Sequence, residues 1–212
     1  MKKTIIVTLL VLISVVGTAQ FKFLEPDVLP NGVGKFSIGS DSFLRYGVLD
    51  LVEVGLSPLP YIKFGMNFSD FWISAGYGYF PNFANFYESN TIFTGAGYYH
   101  ERFSVSVSGS YSENETWEST ETVKSMSFTG TIKVKNIEKR GNIALTGGYG
   151  MDMSNSENSG FVSLDVGSHF DWNWWIFRNI YIYGGLGSQF PFEDLQSIFI
   201  LAGIEGRFQF FK

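Results

Sequence analysis

From residue 34 onward, apolar and polar residues alternate at a spacing of two, segment after segment. That period belongs to a strand with two unlike faces, not to an amphipathic helix. Val162, Leu164, Val166, Phe170 and Trp172 alternate with Ser163, Asp165, Gly167, His169 and Asp171. Met126, Phe128, Ile132 and Val134 alternate with Ser125, Ser127, Thr129, Thr131, Lys133 and Lys135. Near the end, Ile198, Ile200, Ala202, Ile204, Phe208 and Phe210 share one face, and Glu205, Arg207 and Gln209 the other. The spacing predicts strands over 34–39, 42–47, 50–57, 60–68, 71–80, 91–100, 102–112, 123–136, 142–152, 160–171, 178–188 and 196–211.

A soluble sandwich also alternates, with its apolar face inward. Three features favour the opposite facing. The strands run to about ten residues, the length that crosses a bilayer at a tilt. Aromatics, 18% of the 212 residues, collect near strand ends, as membrane girdles do. The polar face is mostly Ser, Thr and Gly, where a soluble surface carries more Lys and Glu; charged residues are only 17% of the chain. The expected fold is therefore all-β: an antiparallel up-and-down transmembrane β-barrel of about twelve strands. The start is the weak point, because Lys35 to Tyr46 must hold two short strands or one long one, and ten strands is the alternative count.

Lys2 and Lys3, the apolar run Thr4 to Val16 and the small residues Gly17-Thr18-Ala19 have the form of a secretory signal peptide cut before Gln20. The expected organisation is a signal peptide over 1–19, a periplasmic lead-in over 20–33 with Pro26 and Pro30, and a barrel over 34–212. Short connections alternate with longer ones at Pro81 to Asn90, Glu113 to Thr122, Met153 to Ser159 and Phe190 to Leu195. That is the pattern of periplasmic turns and outer loops, and an even strand count puts both termini in the periplasm. The expected location is the bacterial cell outer membrane. The expected partners are outer-membrane lipid, the barrel-assembly machinery and small solutes. A net charge of −5 argues against nucleic acid.

With no cysteine there is no disulfide, thiolate metal site or cysteine nucleophile. His100 and His169 are the only histidines. Ser168 adjoins His169, but neighbouring strand residues face opposite sides, which makes them a poor nucleophile–base pair. Lipid A deacylases of the outer membrane pair a His with a Ser on one strand face, and that motif is absent. Glu113, Glu115, Glu118 and Glu121 lack the spacing of a calcium loop. The glycines form no phosphate-binding fingerprint. Inside strands they mark bends, or room for an aromatic on the next strand. The aromatic run from Trp172 to Phe177 reads as an interfacial girdle. No enzyme, metal or cofactor is expected. The candidate lumen-lining set is Arg45, Glu53, Lys63, Lys133, Lys135, Asp165, His169, Glu205 and Arg207, whose mixed charges suit a constriction.

Leu24-Glu25-Pro26-Asp27, Gly34-Lys35-Phe36-Ser37-Ile38 and Leu44-Arg45-Tyr46-Gly47-Val48-Leu49-Asp50-Leu51-Val52-Glu53-Val54 resemble a family of outer-membrane barrels assigned to phenol-degradation pathways and described as transporter-like. The resemblance covers about a fifth of the chain. It implies a barrel of transporter- or porin-like type that passes small solutes. The alternatives are a closed structural barrel binding a partner through its outer loops, a membrane enzyme with a rim site and a secreted soluble β protein.

Overall fold

A computed structural model describes residues 25–40, 42–57, 59–80, 87–116, 119–137, 140–174, 177–190 and 197–209. The expected signal peptide, the centre of the Trp172–Phe177 run and Phe210 to Lys212 lie outside the described residues.

Twelve strands follow one another: β1 (Val33–Gly39), β2 (Phe43–Leu49), β3 (Val52–Ser57), β4 (Leu59–Phe68), β5 (Phe71–Phe80), β6 (Tyr87–Tyr99), β7 (Phe103–Thr116), β8 (Ser119–Ile137), β9 (Gly141–Asp152), β10 (Glu157–Trp174), β11 (Phe177–Phe190) and β12 (Ser197–Gln209). Each pairs antiparallel with the next, and β12 returns to β1, so the sheet closes as a barrel. Closure leaves no strand edge to be satisfied by solvent.

Twelve strands are formed because Lys35 to Tyr46 does break into two. Gly39 has φ 138°, and the side chain of Ser42 folds back on it: Ser42 Oγ donates to Gly39 O at 3.0 Å and accepts from Gly39 N at 3.3 Å. Ser40 N donates to Ala202 O at 2.9 Å, which pins the turn to β12. A Cβ on Gly39 would lie 2.2 Å from Ala202 O, so only glycine fits.

The alternation places the apolar residues outside. Ile198 and Ile200 are each 76% exposed, and Phe128, Ile132, Leu164 and Val166 are about half exposed. The inner face carries Ser104, Ser110, Ser112, Thr129, Thr146 and Ser163, all buried. Phe68, Phe71, Tyr98 and Phe103 gather at the end that carries the Ser69-Asp70 turn, with the Tyr98 and Phe103 rings 5.7 Å apart. An apolar outer wall, a hydroxylated inner wall and aromatic strand ends make this a transmembrane β-barrel of outer-membrane type.

Two features differ from expectation. Glu113 to Thr122 is mostly hairpin rather than loop: Glu113 pairs with Lys124, Asn114 with Val123 and Glu115 with Thr122. The ladder continues because its polar cross-strand pairs keep the backbone bonded beyond the apolar belt, with Lys124 Nζ 3.5 Å from Glu113 Oε1. Of the expected lead-in, the described residues Glu25 to Gly32 form no strand and lie against the inner wall, and Val33 already belongs to β1. Val28, Leu29 and Pro26 are buried there.

Ile132 is 53% exposed on the outer face, where a charge at bilayer mid-depth costs about 2–4 kcal/mol. Ile132→Arg is expected to depress folding into lipid vesicles, read by heat-modifiable gel mobility, far more than Lys133→Ser. Removing Gly203 to Lys212 takes away every registered pair of β12 with β1 and is expected to abolish membrane assembly, leaving aggregated chain in fractionation.

Candidate functional site: the barrel lumen

The inner faces of β2, β3 and β4 bring Arg45, Glu53 and Lys63 together through their register. Gly47 stands opposite Glu53, and Glu53 opposite Lys63. The three side chains are 2%, 0% and 1% exposed. Arg45 grips the Glu53 carboxylate with two bonds of 2.9 Å, Nε to Oε1 and Nη2 to Oε2. Lys63 Nζ lies 2.9 Å from Oε1, and Tyr61 donates to the same oxygen at 2.9 Å. Buried charges persist only when paired and hydrogen-bonded, and this carboxylate is paired on both oxygens.

The lead-in completes the network. Leu29 N donates to Glu53 Oε2 at 3.1 Å. Lys63 Nζ donates to the carbonyls of Glu25 and Asp27 at 3.0 and 2.7 Å. Arg45 reaches Glu25 Oε2 at 2.9 Å through Nη1 and Asp27 O at 3.0 Å through Nη2. Glycines make the passage possible: a Cβ on Gly47 would meet the carbonyls of Pro30 and Leu29 at 2.2 and 2.3 Å. Glu25 also pairs with Lys35, which bonds Glu205 at 2.9 Å. Burial opposes ionisation of the Glu25 carboxyl, yet Lys35 and Arg45, with Lys133 and Lys63, outweigh it and hold the group well below the usual carboxylate range. Its side chain keeps 39% exposure, so water shares in that balance.

The opposite wall, from β6 to β12, is built differently. Hydroxyls pair across strands: Thr91 with Ser112 and Ser110 with Ser127 at 2.8 Å, and Thr131 with Thr146 at 3.2 Å. Aromatic rings lie over glycines of the next strand, Phe93 over Gly76, Phe161 over Gly148 and Tyr183 over Gly203. Between the two walls remains a polar cavity of about 80 Å³, bordered by Glu25, Arg45, Lys133, Asp165, Tyr181 and Glu205, among others.

Of the nine residues singled out from sequence, Arg45, Glu53 and Lys63 form one buried cluster, and Arg45, Lys133, Asp165 and Glu205 border the cavity. Lys135 sits beside it with Nζ 5.1 Å from the Tyr99 ring centre. His169 is exposed, lies tilted against the Tyr181 ring at 4.6 Å between centroids and bonds Asn142 at 2.8 Å. Arg207 is exposed near the end of β12, opposite Arg178, and joins no other member of the set. Sequence reasoning missed Glu25, Asp27 and Lys35, which complete the ion network, and the ring-filling Phe93, Phe161, Tyr181 and Tyr183. The available signal was pairing: each of those rings has a glycine within reach on an adjacent strand.

Neither a protein-family model nor a curated protein matches the chain, so the family resemblance at its front has no matching model behind it. Solved structures of similar shape include the in-vitro folded OmpT, an outer membrane protein of Vibrio cholerae in trimer form. It is 14% identical with a TM-score of 0.47, over 90% of this chain and 68% of that one. An anion-selective porin from Comamonas acidovorans is 11% identical with a TM-score of 0.47, over 80% and 59%. Outer-membrane expressed OmpT of Vibrio cholerae is 14% identical with a TM-score of 0.48, over 83% and 64%. The chain thus spans about two thirds or less of the length of these barrels.

Removing one partner from a buried ion cluster leaves uncompensated charge and costs about 3–5 kcal/mol. Glu53→Ala, which leaves Lys63 without its carboxylate and Arg45 with only the lead-in carboxylates, is expected to lose stability on that scale in urea unfolding of the lipid-folded protein. Lys124→Ala breaks an exposed pair on the β7–β8 hairpin and is expected to lose less than about 1 kcal/mol.

Proposed function

We propose that this protein is a non-enzymatic barrel of the bacterial outer membrane, porin-like, that passes small polar solutes through a narrowed lumen. The observation that carries the reading is the mostly polar set of side chains around the cavity between the two walls. Hydroxyls and charges of both signs face a cavity that the lead-in narrows without filling. Rings of charged and hydroxyl groups at a constriction replace part of a solute's hydration and select among solutes. Arg45 and Lys63, locked to Glu53 and the lead-in, form the fixed side of that constriction. Lys133, Asp165 and Glu205 form the side that a passing solute meets. Outer-membrane lipid surrounds the barrel, and the barrel-assembly machinery inserts it.

A second reading is a closed structural or surface-interaction barrel whose outer loops meet a partner. The position of Glu25 to Gly32 inside the wall favours it, since that segment occupies space an open pore leaves to water.

Planar-bilayer recording separates the two. A solute-passing barrel is expected to give discrete conductance steps after refolding, larger after Gly-Ser replacement of residues 25–32. Silence from both proteins, each shown to be folded by heat-modifiable mobility, establishes the closed barrel.

A further inference from the structure

The charges around the cavity are unequally satisfied. Glu25 is bound by Arg45 and Lys35, Glu205 by Lys35, and Asp165 has a partner of its own. Lys133 forms no ion pair among the described residues. Its ammonium rests over the face of Tyr181, 5.0 Å from the ring centre. Small residues stand across from it on both neighbouring strands, Ser104 on β7 and Ala144 on β9. Both border the same cavity.

Tyr181 is itself buried, 6% exposed, and its hydroxyl has no well-formed hydrogen bond. The Asn142 side chain, with the Asp165 and Glu205 carboxylates, lies in its surroundings, yet the phenol proton is given to no acceptor among the described residues. The arrangement is repeated one step along β8. Lys135 lies over Tyr99, whose buried hydroxyl also lacks a well-formed bond and sits near the lead-in at Glu25 and Asp27. An ammonium offers three donors and no acceptor, and one aromatic face occupies only part of it. Unspent donors of this kind, in a site with room for roughly five waters, call for a negatively charged acceptor. Charge-assisted bonds to an oxyanion are the strong form of that interaction.

We propose that this face of the lumen is a binding site for a small oxyanion, a carboxylate or phosphate of a few heavy atoms, held by Lys133 and the Tyr181 hydroxyl, with Lys135 and Tyr99 forming the approach from the turn end. The inference deepens the solute-passing reading and rests on it for passage, although binding itself needs no open path.

Two measurements test it. Potassium acetate and potassium phosphate are titrated separately into the detergent-folded protein by calorimetry, at constant ionic strength held with potassium chloride. Saturable binding of at least one is expected. Loss of a charge-assisted bond should weaken it by about tenfold or more in Lys133→Gln and in Tyr181→Phe, but not in Lys124→Gln on the exposed hairpin. Tyr181→Phe keeps the ring that packs over Gly167 and decides the matter if Lys133→Gln does not fold. Binding of acetate alone identifies an organic carboxylate as the guest, and binding of phosphate alone a phosphate. No saturable binding to the wild type, or equal binding by all variants, overturns the site. Reversal potentials across a gradient of the bound salt then read passage: anion preference in the wild type, reduced in Lys133→Gln, is the expected result. Binding without conductance would refute passage and keep the site; conductance without binding would refute the site and keep passage.

Discussion

Everything in this barrel depends on satisfying backbone groups where no water is available. In hydrocarbon each unpaired N–H or C=O costs several kcal/mol, so a sheet crosses a membrane only by closing on itself. Here the requirement falls on two of the shortest joins. β1 offers seven residues to β12 and only four registered pairs to β2. The Gly39–Ser42 turn, tied to Ala202, holds that join at one end, and the Lys35–Glu205 ion pair crosses it on the inside.

Closure creates a second difficulty, because the same short strands carry the densest charge. Arg45, Glu53 and Lys63 lie on β2, β3 and β4, and water alone does not occupy the space in front of them. The lead-in supplies carbonyls to Lys63, an amide to Glu53 and a carboxylate to Arg45. It acts as a piece of solvent with a fixed orientation. The interior is thus divided: one wall is ionic and braced by its own chain, the other is hydroxylated, glycine-hollowed and filled by rings.

The fold was legible because the membrane enforces a strict rule that a single sequence displays. Ile198, Ile200 and Ile204, or Val162, Leu164 and Val166, announce their outward facing through period alone, and the exposures follow it. The candidate site was legible only in part. Arg45, Glu53 and Lys63 are inward by parity, but their convergence depends on the stagger between β2, β3 and β4, which parity does not contain. Glu25 and Asp27 belong to no periodic segment, so nothing in the alternation pointed to them. Phe208 shows the limit from the other side. It has outward parity, yet it is only 9% exposed, because its ring settles over Gly34 of β1. Facing is a property of one strand, whereas burial belongs to a strand and its neighbour together.

The strands are also unequal in length, and the wall inherits that inequality. β1, β2 and β3 hold seven, seven and six residues, whereas β7 and β8 hold 14 and 19. At about 3.3 Å per residue and a tilt of about 40°, the short strands rise only roughly 15–18 Å, against an apolar belt of about 25 Å in such barrels. Acyl chains beside β1 to β3 therefore meet too little wall, and hydrophobic mismatch makes the bilayer thin there while it keeps its depth beside β7 and β8. The barrel carries a compass into its membrane: a sector of thinned bilayer that faces the closing seam and gives the barrel a front.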